Sequence, residues 1–161
     1  MDATADVRLL AHMRFEARSG SGHTIELDAG KASGGDDLAA SPVELVLAAS
    51  AACMGMDAVA ILRKMRQDVA GYDVHAEGQR SDQHPRVFTL ITMVHRVHGR
   101  SLSATNVARA LQLSMSRYCP VFAMLQPGVA FVVRYEATDD NDGSVSMGEA
   151  AREGEAAEEA S

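Results

Sequence analysis

The chain has 161 residues, enough for one domain with a sizeable core. Apolar residues make up 47%, which excludes a wholly disordered chain, and aromatics at 4% with no Trp speak against a stacking platform for single-stranded nucleic acid. The net charge of −7 sits entirely between Asp139 and Ser161, where eight acids meet one base; residues 1–138 hold 14 acids and 14 bases. A neutral body without a basic run argues against nucleic acid as the main partner.

Taken in chain order, Val7, Leu9, Ala11, Met13, Phe15 and Ala17 alternate and predict a strand over 7–17. Arg18-Ser19-Gly20-Ser21-Gly22 reads as a turn, and 23–28 as a returning strand in a hairpin. A loop rich in Gly, Ala and Asp covers 30–40. Ser41-Pro42-Val43-Glu44 then marks a helix start. Ser41 can cap, Pro42 suits the first turn, and Glu44 stands three residues after the cap as in a capping box. The pattern predicts a helix to about Asp68, with Leu45, Ala48, Ala49, Ala52, Met56, Val59 and Ala60 on one face and Arg63, Lys64 and Arg66 near its C-terminal dipole. Residues 45–56 are apolar all round, so this stretch should be buried on every side. One chain of this size has few elements left to cover it, and an obligate homodimer is expected.

Strands follow over 69–79 and 87–98, joined by a polar turn at 81–85. Ser103 should cap a second helix with Val107, Ala110, Leu111, Ser114, Met115 and Tyr118 on one face. Cys119-Pro120 opens a short helix over 121–126, and Pro127-Gly128 turns into a last strand over 129–135. The order ββ-α-ββ-α-α-β is that of an α+β fold. The reading is a single domain over 1–138 followed by an acidic, disordered and dispensable tail over 139–161.

The first residues lack a basic n-region and an apolar core, so no signal peptide is expected. The longest uncharged stretch, 118–133, contains Pro120, Pro127 and Gly128 and is too short to span a bilayer. A cytoplasmic protein with no membrane partner follows, in which two thiols stay reduced unless they do redox work.

Those thiols, Cys53 and Cys119, are the candidate reactive groups. Cys119 falls at the N-cap of the short helix, where backbone N–H groups and the dipole favour a thiolate. Cys53 lies in mid-helix and would need a charge brought from elsewhere. Small buried hydrophobes are the bland alternative for both. The histidines, His12, His23, His75, His84, His95 and His98, predict no metal site, since His95 and His98 lie three apart on a strand and face opposite ways. No cofactor is expected.

The run Ser41-Pro42-Val43-Glu44-Leu45-Val46-Leu47-Ala48-Ala49-Ser50-Ala51-Ala52-Cys53-Met54-Gly55-Met56-Asp57 resembles the OsmC and organic hydroperoxide resistance family. So do Pro85-Arg86-Val87-Phe88-Thr89 and Arg117-Tyr118-Cys119-Pro120-Val121. The likeness extends from about Val7 to Tyr135 and is nearest the YhfA-like branch, with a similar Ile61-Leu62-Arg63-Lys64 helix end. It implies an intertwined homodimer in which antiparallel sheets wrap two long central helices. It also implies peroxide reduction by two cysteines, a glutamate and an arginine. Cys53 takes the place of the attacking cysteine and Cys119 that of the second one. Peroxidase members carry the glutamate ten residues before the first cysteine. Here that place holds Val43, and Glu44 stands one residue on, turned by about 100°. Glu44 is thus a candidate for either catalysis or capping. Arg18, in the Gly-rich turn, and Arg14 are the candidate arginines. The implied partners are an organic hydroperoxide and an external dithiol that resets the cysteine pair. The misplaced glutamate leaves an alternative, a non-catalytic dimer that binds a small apolar ligand.

Overall fold

The computed structural model describes residues 2–151. The chain divides into two units, Met1–Val46 and Leu47–Ser161.

In the first unit, β1 (Ala5–Ala11), β2 (Arg14–Ser19) and β3 (Thr24–Leu27) form an antiparallel sheet in the order β1-β2-β3. The strand expected over 7–17 is therefore two strands. The chain reverses at His12 and Met13, with His12 at φ 47° and its ring nitrogen 2.9 Å from Asp36 Oδ2. Ala11 pairs with Arg14 across the two-residue turn, which alone would swap the faces; the register shift between Leu9 and Ala11 restores them, so Leu9 pairs with Phe15 and the alternation shows no break at the reversal. The loop after β3 is pinned by Asp28. Its buried carboxylate accepts from the N–H groups of Ala29 (2.8 Å), Leu38 (3.1 Å) and Asp36 (3.2 Å). Burial alone would raise the Asp28 pKa. The three N–H groups and the charge of Arg14 outweigh burial and hold it below the usual carboxylate value. Gly35 belongs here by close approach, because a Cβ would strike the Ala29 carbonyl oxygen.

α1 spans Pro42–Lys64 and begins as its sequence prescribes. The Ser41 N–H and Oγ both donate to Glu44 Oε2 at 2.7 Å, and the Glu44 N–H returns to Ser41 Oγ at 3.4 Å. The helix ends at Lys64 and not near Asp68. Arg66 adopts φ 59°, and the Gln67 N–H caps back onto the Leu62 carbonyl at 3.0 Å.

The second unit carries a four-stranded sheet of β4 (Asp68–Arg80), β5 (Phe88–Arg100), β6 (Ala130–Asp139) and β7 (Val145–Glu149). β4 and β5 form an antiparallel hairpin, β6 runs parallel to β5, and β7 returns antiparallel to β6. The sheet is mixed and not all antiparallel as the resemblance implied. The reason is the crossover through α2 (Ala104–Leu113), a π-turn (Ser114–Tyr118) and α3 (Pro120–Leu125), which brings β6 back in the direction of β5. Ser103 caps α2 as expected, its hydroxyl accepting the Asn106 N–H at 3.3 Å. Ile91, Met93 and Val97 of β5 and Val133 and Ala137 of β6 form the core layer, with Met54, Ala58 and Leu62 of α1 and Val107, Ala110 and Leu111 of α2. At Gly55 the helix comes so near β4 that a Cβ would lie 3.3 Å from Val74 and 3.5 Å from Tyr72.

His95 and His98 face opposite ways, as a strand requires. His98 is exposed and 3.2 Å from Asp140 Oδ2, whereas His95 is fully buried with Nδ1 2.8 Å from the Tyr72 hydroxyl. Burial pushes the His95 pKa down to about 4 and raises that of Tyr72, so the pair is neutral.

Within one chain, residues 45–56 are covered on one side. Ser50, Ala51, Met54 and Gly55 are buried, but Ala48, Ala49, Ala52 and Met56 are exposed, Met56 at 73%. α1 is also, by length and composition alone, apolar enough to cross a membrane, although its Ser50–Leu62 face lies in the core. The expected boundary at 138 does not hold. Asp139 still belongs to β6, Val145–Glu149 pairs with it as β7, and Ala150 is buried. The tail expectation thus fails for 139–150, and its remainder, 152–161, lies outside the described residues. Asn141-Asp142-Gly143, with Gly143 at φ 72°, is the hairpin turn, and Val145, Met147 and Glu149 alternate with Ser146 and Gly148 behind it.

Candidate functional site

Within the second unit the two cysteines meet. Cys53 is half-buried in the middle of α1, and Cys119 is buried between the π-turn and α3. The two thiols are neighbours, and Cys53 is one of the groups that raise the Cys119 pKa. Cys119 is the N-cap of α3: Pro120 follows it, its backbone is extended at φ −76° and ψ 103°, and its sulfur accepts the Phe122 N–H at 3.3 Å. Phe122 in turn packs on Phe131 of β6 with ring centroids 4.8 Å apart, which anchors α3.

Cys119 is not the acidic thiol that its N-cap position suggested. Burial raises its pKa most, the Phe122 N–H opposes this, and the Cys53 thiol and the Asp57 carboxylate add to the rise, which reaches about 12. A six-residue helix with one N–H aimed at the sulfur is outweighed by loss of water and two unfavourable neighbours.

Asp57 and Ser114 complete the site, and sequence reasoning passed over both. Asp57 lies four residues after Cys53 and therefore on the same face of α1. That spacing was a readable signal. Ser114 Oγ donates to Asp57 Oδ2 at 3.0 Å, and the Ser114 carbonyl accepts the Cys119 N–H at 2.9 Å. Nothing in the sequence marked Ser114 beyond its place on the apolar face of a helix.

The charged residues that the resemblance supplied fall in the first unit. Glu44 is committed to Ser41 as a helix cap, and that hydrogen bonding holds its pKa below the usual value. Arg18 is exposed on β2, opposite Asp6 on β1 and Thr24 on β3. Arg14 has a buried Nε without a hydrogen-bond partner, 3.9 Å from Glu26 Oε2. Among the described residues no three His, Cys, Asp or Glu side chains are grouped to hold a metal ion.

Chemically, two neighbouring thiols, one half-buried and one protonated, form a pair that an oxidant can convert to a disulfide. The chain matches the family model for OsmC-like proteins over residues 34–134. Protein YhfA of Escherichia coli strain K12 is 39% identical over 132 residues, which cover 82% of this chain and 96% of YhfA. The crystal structure of a hypothetical protein from Aquifex aeolicus VF5 superposes with a TM-score of 0.77 at 24% identity, covering 87% of this chain and 98% of that one. An organic hydroperoxide resistance protein OsmC from Legionella pneumophila superposes with a TM-score of 0.62 at 14% identity, covering 86% and 97%. The last two are similar in fold.

Proposed function

The chain belongs to the OsmC-like protein family, and we propose that within it this protein is a thiol-dependent peroxidase that reduces organic hydroperoxides with Cys53 and Cys119. The observation that carries the reading is the convergence of these two thiols, one from the middle of α1 and one at the start of α3, as neighbours in one site. Cys53, the half-buried member, attacks the outer peroxide oxygen as thiolate. The O–O bond breaks, the alcohol leaves with a proton, and Cys53 becomes a sulfenic acid. Cys119, which holds its proton, then resolves it. Its sulfur bonds to Cys53, the S–O bond breaks, and water departs. An external dithiol reduces the disulfide by exchange and is itself oxidised to a disulfide. Exposed Met56 and Tyr118, near the two cysteines in sequence, favour a substrate with an apolar part over hydrogen peroxide.

The working form in this reading is a homodimer in the cytoplasm. The exposed apolar face of α1, with Ala48, Ala49, Ala52 and Met56, supports a second copy as its cover, since small residues allow close helix approach. The steps are assigned to the two thiols, because Glu44 serves as a cap.

The variants Cys53→Ser and Cys119→Ser test the assignment. Cys119→Ser should form one sulfenic acid on Cys53, trapped by dimedone, and fail to turn over with a dithiol. Cys53→Ser should leave peroxide untouched. Dimedone on Cys119 in place of Cys53 would reverse the roles. One observation favours a second reading, a non-catalytic dimer that binds a small apolar ligand: Glu44, the acid nearest the expected catalytic place, is taken up by Ser41 as a helix cap. Inert thiols in the wild type and both variants would select it.

A further inference from the structure

Asp57 has no part in the two-thiol cycle, yet the site is built around it. It shares the Cys53 face of α1 and is half-buried there. Ser114, itself fully buried, grips it through Oγ at 3.0 Å. The same serine takes the Cys119 N–H on its carbonyl at 2.9 Å. One residue thus ties the carboxylate by its side chain and Cys119 by its backbone. The π-turn makes this possible, since ordinary α-helical bonding would hand the Cys119 N–H to Met115. A half-buried carboxylate fixed beside a buried thiol must act on that thiol's ionisation, because like charges at short range in a poorly solvated place repel strongly.

We propose that Asp57, held by Ser114, is a positioning residue that fixes the roles of the two cysteines by keeping Cys119 protonated while Cys53 attacks. The inference rests on the peroxidase reading for its consequence, though its electrostatics stand without it. Burial and the Cys53 thiol act on Cys119 in the same direction as Asp57. A protonated Cys119 cannot compete with Cys53 for peroxide. In the resolving step its proton is still present. The Cys119 sulfur bonds to the Cys53 sulfur, the sulfenic S–O bond breaks, and the thiol proton leaves with the hydroxide as water. The step balances without an outside acid.

The test uses the full-length Cys53→Ser chain, in which Cys119 is the one remaining cysteine. The cysteine Cβ, labelled with carbon-13, reports thiol ionisation against pH by NMR without any reagent having to reach a buried sulfur. Adding Asp57→Asn, which keeps an acceptor for Ser114, should lower the Cys119 midpoint by about one pH unit, roughly a tenfold rise in thiolate fraction below it. Adding Asp57→Glu, which restores the charge, should bring the midpoint back. An unchanged midpoint in the Asn variant overturns the proposal, and so does an equal fall in both variants, which would make the effect one of packing. Should Asp57→Asn not fold, carbon-13 in the aspartate carboxyl of the Cys53→Ser chain tests the same coupling from the other side. The Asp57 signal must move as Cys119 titrates, and a flat signal overturns the proposal. No peroxide enters these experiments, so failure of the peroxidase reading is read separately.

Discussion

Ending the chain at Thr138 removes β7 and Ala150 together. β7 pairs with β6 at five positions, from Arg134 with Glu149 to Thr138 with Val145. Its side chains bury little: Val145 is 55% and Met147 72% exposed. Its ladder bonds, about 1 kcal/mol each in net terms, are largely offset by the backbone order they require, about 1–2 kcal/mol per residue. The larger loss is at Ala150, which is buried, donates its N–H to the Val133 carbonyl at 2.8 Å, and lines one side of a pocket of about 220 Å³ together with Phe122 and Phe131. Removing that cover exposes part of two aromatic rings and one methyl, on the order of 2 kcal/mol at about 25 cal/mol per Å². For a chain of this size that is a fall in Tm of about 4–8 °C. Melting followed by circular dichroism, with full-length and truncated chains side by side, measures it. A truncated chain that melts within a degree of the full-length one would refute the packing of Ala150 as the closure of this core.

Met54 is fully buried on α1, and Met54→Ala should cost about 2–5 kcal/mol in urea unfolding; a cost below 1 kcal/mol would contradict its place in the core. His95 titrates near 4 in the folded chain against about 6.5 unfolded, so its contribution is full above pH 6.5 and is lost as pH falls towards 4. At about 1.4 kcal/mol per pH unit this reaches roughly 3 kcal/mol, measured as the part of the acid destabilisation that disappears in His95→Gln; an equal acid slope in both chains would contradict a buried neutral His95. Sedimentation equilibrium at micromolar concentration should show a dimer, and a stable folded monomer there would remove the second copy as the cover of α1.

Local signals carried most of the fold. The capping box at Ser41, the N-caps at Ser103 and Cys119 and the strands β4 to β6 were readable because each depends on residues within a turn or a strand of one another. Three features were not. The reversal at His12 leaves the alternation intact, and the end of α1 depends on Arg66 taking a left-handed backbone that no Gly advertises. β7 was hidden by its composition: the acidity of 139–161 outweighed the Asn-Asp-Gly turn and the short alternation after it. At the site, the cysteines could be named from sequence, but their convergence could not, since it brings together the middle of α1 and the start of α3. The acidity of Cys119 was misjudged for the same reason. The helix start is local, whereas the burial and the Asp57 charge that outweigh it come from tertiary packing. Glu44 was legible as a cap, and that is the role its hydrogen bonds give it.

The most direct measurement treats the reduced wild-type protein with one equivalent of cumene hydroperoxide at neutral pH, then counts free thiols and maps the product by mass spectrometry. Both thiols should be lost within seconds, with an intramolecular Cys53–Cys119 disulfide as the product, and both should return on adding a dithiol. Two free thiols after minutes, or oxidation that stops at a single cysteine with no disulfide, would contradict the two-thiol peroxidase reading.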